Sequence, residues 1–170
     1  NVESIPELEV INELAGAKGK TASVALRINP NVSAHTHHYI TTGLSENKFG
    51  INLSELDKVT DLVLTLPNIK MVGIHFHIGS QITDMSSFQD LCIKVNELQE
   101  YFESKSVKLQ HVNVGGGLGI SYEHPNHLSI PDFESYFKVF RKYLILRPGQ
   151  TLHFELGRAV VAQCGSLISR

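Results

Sequence analysis

The chain has 170 residues, 42% of them hydrophobic, with 15 basic and 17 acidic side chains giving a formal net charge of −2. That length and apolar content suffice for a sizeable buried core and exclude a disordered or fibrous chain. The charges are mixed along the sequence, no apolar run approaches the ~18 residues of a membrane-spanning helix, and no charged-then-apolar leader opens at Asn1, so a cytoplasmic protein with no nucleic-acid or membrane partner is expected.

Ser4-Ile-Pro-Glu7 is a capping box with proline in the first turn, and Leu8, Ile11, Leu14 and Ala15 follow at helical spacing. An amphipathic helix ended by Gly16 and Gly19 is predicted. Ser23 to Pro30 reads as a strand, with Val24, Leu26 and Ile28 on one face and Arg27 on the other, where it needs an acidic or ligand partner. The polar connection from Asn31 to Gly50 carries His35, His37, His38, Thr41, Thr42 and Lys48, and a connection of that length is usually functional or mobile. Its histidines have no carboxylate or cysteine at ligand spacing, so no metal site is expected. A helix from Ser54 to Leu66 follows, capped by Ser54 or Asn52 and closed by Pro67.

The stretch from Met71 to Gln81 alternates Val72, Ile74, Phe76 and Ile78 with Gly73, His75 and His77, then breaks at Gly79-Ser80. This is a strand ending in a polar shelf. A helix over Asp84 to Ser104 carries Phe88, Leu91, Cys92, Val95, Leu98 and Phe102 on one stripe. It leads into Leu109 to Gly117, a strand ending in Gly115-Gly116-Gly117. The helix from Asp132 to Leu146 is closed by Pro148-Gly149 and leads into Thr151 to Arg158, a strand ending in Glu155 and Arg158. Beyond it, Ala159 to Ser169 reads as strand with no intervening helix. Cys92 and Cys164, in apolar surroundings without CxxC spacing, read as reduced, buried thiols.

Each polar strand end has a structural reading beside the functional one. His77 can be a hydrogen-bonded rim histidine, the triple glycine a turn needing positive φ, and Glu155 and Arg158 an ion pair. Three such ends in succession point instead to one shared site. Strand and helix alternate four times with a unit near forty residues, which predicts an α/β fold with right-handed crossovers and a parallel sheet. A doubly wound sheet fits the count. The position of candidate residues after every strand and the lack of G-x-G-x-x-G favour about half of a (β/α)8 barrel. Such an open set of strands leaves two edges that invite self-association.

Arg27-Ile-Asn-Pro30, Thr41-Thr-Gly43 with Lys48-Phe-Gly-Ile51, His75-Phe-His-Ile-Gly-Ser-Gln81, Gly115-Gly-Gly-Leu-Gly-Ile-Ser-Tyr122 and Glu155-Leu-Gly-Arg158 resemble the alanine-racemase-like, pyridoxal-phosphate-dependent (fold-type III) decarboxylases, and the diaminopimelate branch in particular. The resemblance spans nearly the whole chain. It implies a pyridoxal 5′-phosphate cofactor held by Arg27, His77, Ser80, Gly115, Gly116, Gly117, Glu155, Gly157 and Arg158. His77 would stack on the pyridine ring, the glycines and Ser80 would donate to the phosphate, and Glu155 would keep the ring nitrogen protonated, making His77 and Glu155 the catalytic pair. Arg158 would bind phosphate or a substrate carboxylate.

The implied reaction is decarboxylation of meso-2,6-diaminopimelate to L-lysine and CO2 by a homodimer. Alternatives are a decarboxylase of another basic amino acid or carboxynorspermidine, or a non-catalytic pyridoxal-binding barrel. Leu156 stands where this family usually has proline. The resemblance puts the Schiff-base lysine before Asn1, and a cysteine proton donor and a phosphate-binding tyrosine in a C-terminal β domain; Lys48, Lys70 and Cys164 are not candidates. Residues 1–158 are accordingly expected to be a partial barrel and 159–170 the connection or strand into that β domain.

Overall fold

The computed structural model describes residues 1–32, 49–123, 131–165 and 168. Helices and strands alternate as α1 (Ile5–Ala17), β1 (Ala22–Arg27), a 3₁₀ turn (Leu53–Glu55), α2 (Leu56–Thr65), β2 (Ile69–His75), α3 (Met85–Ser104), β3 (His111–Asn113), α4 (Phe133–Tyr143), β4 (Thr151–His153) and α5 (Gly157–Val161). The four strands form one parallel sheet in the order β1-β2-β3-β4, so each pairs with its successor in the chain. This is the expected α/β arrangement, with helical crossovers between parallel neighbours.

Register and pleat together sort the side chains. Leu26, Ile74, Val112 and Leu152 are aligned across the sheet, and the first three are fully buried. Arg27, His75, Asn113 and His153 form the adjacent row and share the opposite face, because neighbouring residues of a strand alternate. The α3 stripe of Phe88, Leu91, Cys92, Val95, Leu98 and Phe102 is buried as the spacing predicts. Burying each of the larger side chains stabilises the fold by about 1.5–3 kcal/mol. Phe88 meets Tyr136 of α4 edge-on at 4.8 Å, and Tyr136, Phe137 and Phe140 surround Phe154, which follows β4. That aromatic cluster fixes α4 beside the β4 terminus on which Glu155 stands.

Capping follows the sequence at three helices. Ser4 Oγ accepts the Glu7 N–H at the start of α1, while the Glu7 carboxylate reaches back to the Glu3 N–H and not to that of Ser4. Asp84 and Asp132 cap α3 and α4. At α2 neither expected cap forms: the chain enters through the 3₁₀ turn, and Asn52 bonds Asn29 with its side chain.

Two expectations are corrected. The strand expected from Ala159 begins as helix, because β4 stops at His153 and the chain turns at Leu156 into α5, closed by Val160 N–H to Leu156 O and Ala162 N–H to Arg158 O. The β-branched pair Val160 and Val161 carries strand propensity, but both are exposed and no neighbouring strand receives them. Cys92 is buried as expected, with its thiol pushed up to about 12 by desolvation, whereas Cys164 is exposed in the turn after α5. On the outer side of β1, Val2 makes a single parallel bridge to Leu26 and is itself buried. His35, His37, His38, Thr41, Thr42 and Lys48 lie outside the described residues. Among those described, no helix is long and apolar enough to cross a membrane.

Candidate active site

The polar features gather where β2, β3 and β4 end. Asn113, the last residue of β3, donates from Nδ2 to Glu155 Oε1 at 2.8 Å and accepts the Gly115 N–H on Oδ1 at 2.9 Å. His75, the last residue of β2, is buried and brings Nε2 within 3.4 Å of the same Glu155 oxygen, without the alignment of a hydrogen bond. Burial lowers the basicity of His75 and outweighs the opposing pull of Glu155, with Arg27 adding to the lowering. An imidazole that resists protonation therefore borders the carboxylate. His77 lies two residues past the strand, exposed, and its basicity is lowered by partial desolvation and then by Arg27, against Glu155.

The glycine run is wedged between backbones. Gly115 and Gly117 have φ of +70° and +107°, a region that costs any residue with a Cβ. An added Cβ would lie 2.2 Å from Phe76 O at Gly115, 2.2 Å from Glu155 O at Gly116 and 2.6 Å from Gly79 O at Gly117. The run thus threads between the ends of β2 and β4, and it is tied there by the Glu155 N–H to Gly115 O bond of 2.8 Å. Among the described residues, the N–H groups of Gly116 and Gly117 have no acceptor. Two peptide donors without acceptors beside positive-φ glycines are an arrangement able to receive an anion.

Arg158, in the first turn of α5, donates from Nη1 to Gln81 Oε1 at 3.2 Å and lies over the Tyr122 ring at 5.8 Å. Gln81 in turn binds the Ile120 backbone through both ends of its amide. Arg158 is therefore held by the loops after β2 and β3 and makes no ion pair with Glu155. Arg27 finds its acidic partner in Glu3, at 2.6 Å, with Phe49 under the guanidinium at 5.5 Å. Ser80 is exposed in the bend after β2. Gly157 differs from expectation as a donor: its N–H is already bonded to Glu155 O at 3.0 Å, and a Cβ there would meet nothing within 4 Å. Lys70 is the second residue of β2, at the strand's opposite end from the site.

His77, the three glycines, Glu155 and Arg158 are thus brought to one end of the sheet. The sequence reading missed Asn113, Gln81 and the role of His75 as a neighbour of Glu155. Strand period was the available signal, since Asn113 falls in phase with His111 and two residues before Gly115. It also missed a polar triangle that joins His153, in the row of Asn113, to the His111–Thr151 pair, with His111 Nδ1 2.7 Å from Thr151 Oγ1, Thr151 Oγ1 3.0 Å from His153 Nε2, and the two ring nitrogens 3.2 Å apart. Among the described residues, no group of three or more histidines, cysteines or carboxylates is placed to hold a metal.

Known proteins are similar to this chain along its whole length. The chain is 64% identical to diaminopimelate decarboxylase of Bacteroides thetaiotaomicron over 170 residues, which is all of this chain and 44% of that protein. It is 43% identical to the Haemophilus influenzae enzyme of the same name over 172 residues, covering 40% of that protein. The crystal structure of diaminopimelate decarboxylase from Helicobacter pylori complexed with L-lysine superimposes with a TM-score of 0.76 at 34% identity, over 94% of this chain and 40% of that one. The chain therefore spans less than half the length of these relatives. The family model for the pyridoxal binding domain of pyridoxal-dependent decarboxylases matches residues 1–162, and the chain belongs to that family.

Proposed function

We propose that this chain is the pyridoxal-binding part of an enzyme that decarboxylates meso-2,6-diaminopimelate to L-lysine and CO2. The observation that carries the proposal is the 64% identity to a diaminopimelate decarboxylase along the chain's whole length. Residues 1–158 would form part of the barrel and 159–170 the connection to a C-terminal β domain, in a homodimer.

The residues present fit pyridoxal phosphate. Among the described residues the Gly116 and Gly117 N–H groups lack acceptors, and Arg158 is bonded to Gln81 of the loop after β2 at the same end of the sheet, which suits a phosphate. Glu155 has one oxygen engaged by Asn113, while Oε2 has no partner among the described residues and is available to a ring N–H. When bound, the cofactor supplies a conjugated ring that takes up the electron pair left as CO2 departs. Glu155 would hold the proton on the ring nitrogen, with the buried His75 bordering that carboxylate on one side. His77 would cover a ring face. Arg27, paired with Glu3, adds positive potential on the β1 side.

A substrate panel on the full-length enzyme tests the proposal. meso-Diaminopimelate should be turned over in preference to lysine, ornithine, arginine and carboxynorspermidine, and preference for any of the others would overturn it. Glu155→Gln should keep the cofactor yet lower kcat by about 10²-fold or more, since an amide cannot hold the ring proton. Near-normal turnover of that variant would remove Glu155 from its role.

A further inference from the structure

Asn113 makes two bonds that together join the glycine nest to the carboxylate. Its Oδ1 accepts from Gly115 N–H and its Nδ2 donates to Glu155 Oε1. The orientation of the amide is thereby determined, because only the carbonyl oxygen accepts from a peptide N–H and only the NH₂ donates to a carboxylate. Glu155 has little else to hold its side chain. It is about half exposed, at 47%, makes no ion pair with Arg27 or Arg158 among the described residues, and has only the long, unaligned contact to His75. Its backbone is fixed by Gly115, but a glutamate side chain retains three torsions beyond that anchor.

We infer that Asn113 is a positioning residue for Glu155, holding Oε1 so that Oε2 faces the cofactor ring, and that it sets the first turn of the phosphate nest with the other end of the same amide. The inference rests on the functional reading above for the identity of the ring that Glu155 meets. The two duties separate by chemistry. An aspartate at 113 still accepts from Gly115 N–H and preserves the turn, but sets a second carboxylate against Glu155. An alanine loses both bonds.

The test uses Asn113→Asp and Asn113→Ala in the full-length holoenzyme. Both should lower kcat by about 10- to 100-fold, the effect of losing one hydrogen bond to a charged group. KM should stay within about twofold, because the lost contact does not touch substrate. Pyridoxal phosphate affinity should be close to wild type for Asn113→Asp and weaker for Asn113→Ala. In a Glu155→Gln background Asn113→Ala should cause no further loss of kcat, since the residue it acts through is gone. With ¹⁵N-labelled pyridoxal phosphate, the ring-nitrogen signal of Asn113→Ala should move towards the unprotonated position, a readout that needs no turnover. Wild-type kcat in Asn113→Asp, losses that multiply with Glu155→Gln, or an unmoved ring-nitrogen signal would each overturn the inference. If the wild-type enzyme holds a protonated ring nitrogen yet leaves diaminopimelate untouched, the functional reading falls and the ¹⁵N comparison still decides on Asn113.

Discussion

Replacing Gly116 by alanine probes the contact on which the site's geometry depends. The new Cβ would lie 2.2 Å from Glu155 O and 3.1 Å from Glu155 C, both backbone atoms with no rotamer to give way. An unstrained carbon–oxygen contact is about 3.3 Å, so β3 and β4 must part by about 1 Å at their ends. Overpacking of this kind costs about 1–3 kcal/mol. The separation also stretches the Glu155 N–H to Gly115 O bond, whose loss adds about 0.5–1.5 kcal/mol. Together these give about 1.5–4.5 kcal/mol, or a fall in Tm of about 3–18 °C for a domain of this size. Because the displaced residue is Glu155, kcat should fall as well. Gly157→Ala is the control, with helical backbone and no atom within 4 Å of the new Cβ, and its Tm should match wild type or rise slightly. Thermal melts and kcat of both variants of the full-length enzyme decide the matter. A Gly116→Ala protein that melts and turns over like wild type, or a Gly157→Ala protein equally damaged, would refute the crowding argument.

Two further outcomes follow from buried polar groups. The Tyr136 ring packs among Phe88, Phe140 and Phe154 and its buried hydroxyl has no hydrogen-bond partner among the described residues, so Tyr136→Phe should raise stability by about 1 kcal/mol in chemical denaturation; a loss of stability would mean the hydroxyl has a partner. His75 has its pKa lowered from 6.5 by burial, so the unfolded chain takes up a proton that the folded chain refuses, and stability should decline as pH falls through 6.5. His75→Gln should flatten that acid limb, and denaturation curves of unchanged pH dependence would exclude His75 as its source.

Much of the fold could be read because the helices carry their apolar residues at spacings of three and four and the strands alternate. The α3 stripe was complete from the sequence, and so was the grouping of His77, the glycines and Glu155 at strand ends. What escaped depends on contacts distant in sequence. Arg27 announces a need for an acidic partner, but Glu3, 24 positions earlier, reaches it only because Val2 pairs with Leu26. Asn113 looks like an ordinary strand residue until the β3–β4 register sets it beside Glu155. The reason for glycine at 116 is likewise a tertiary approach, which no local pattern records. α5 was misread because Val160 and Val161 favour extended chain, whereas the turn at Leu156 starts a helix.

The sheet's strand order repeats the order of synthesis. No strand has to be inserted between two that are already paired, and each pairing closes only the intervening helix and its loops. A chain emerging from the ribosome can therefore lay β2 on β1, β3 on β2 and β4 on β3 as each arrives, with the newest edge always the next template. The last step of that sequence also brings Glu155 against Gly116, so the assembly of the site is timed to the arrival of the fourth strand.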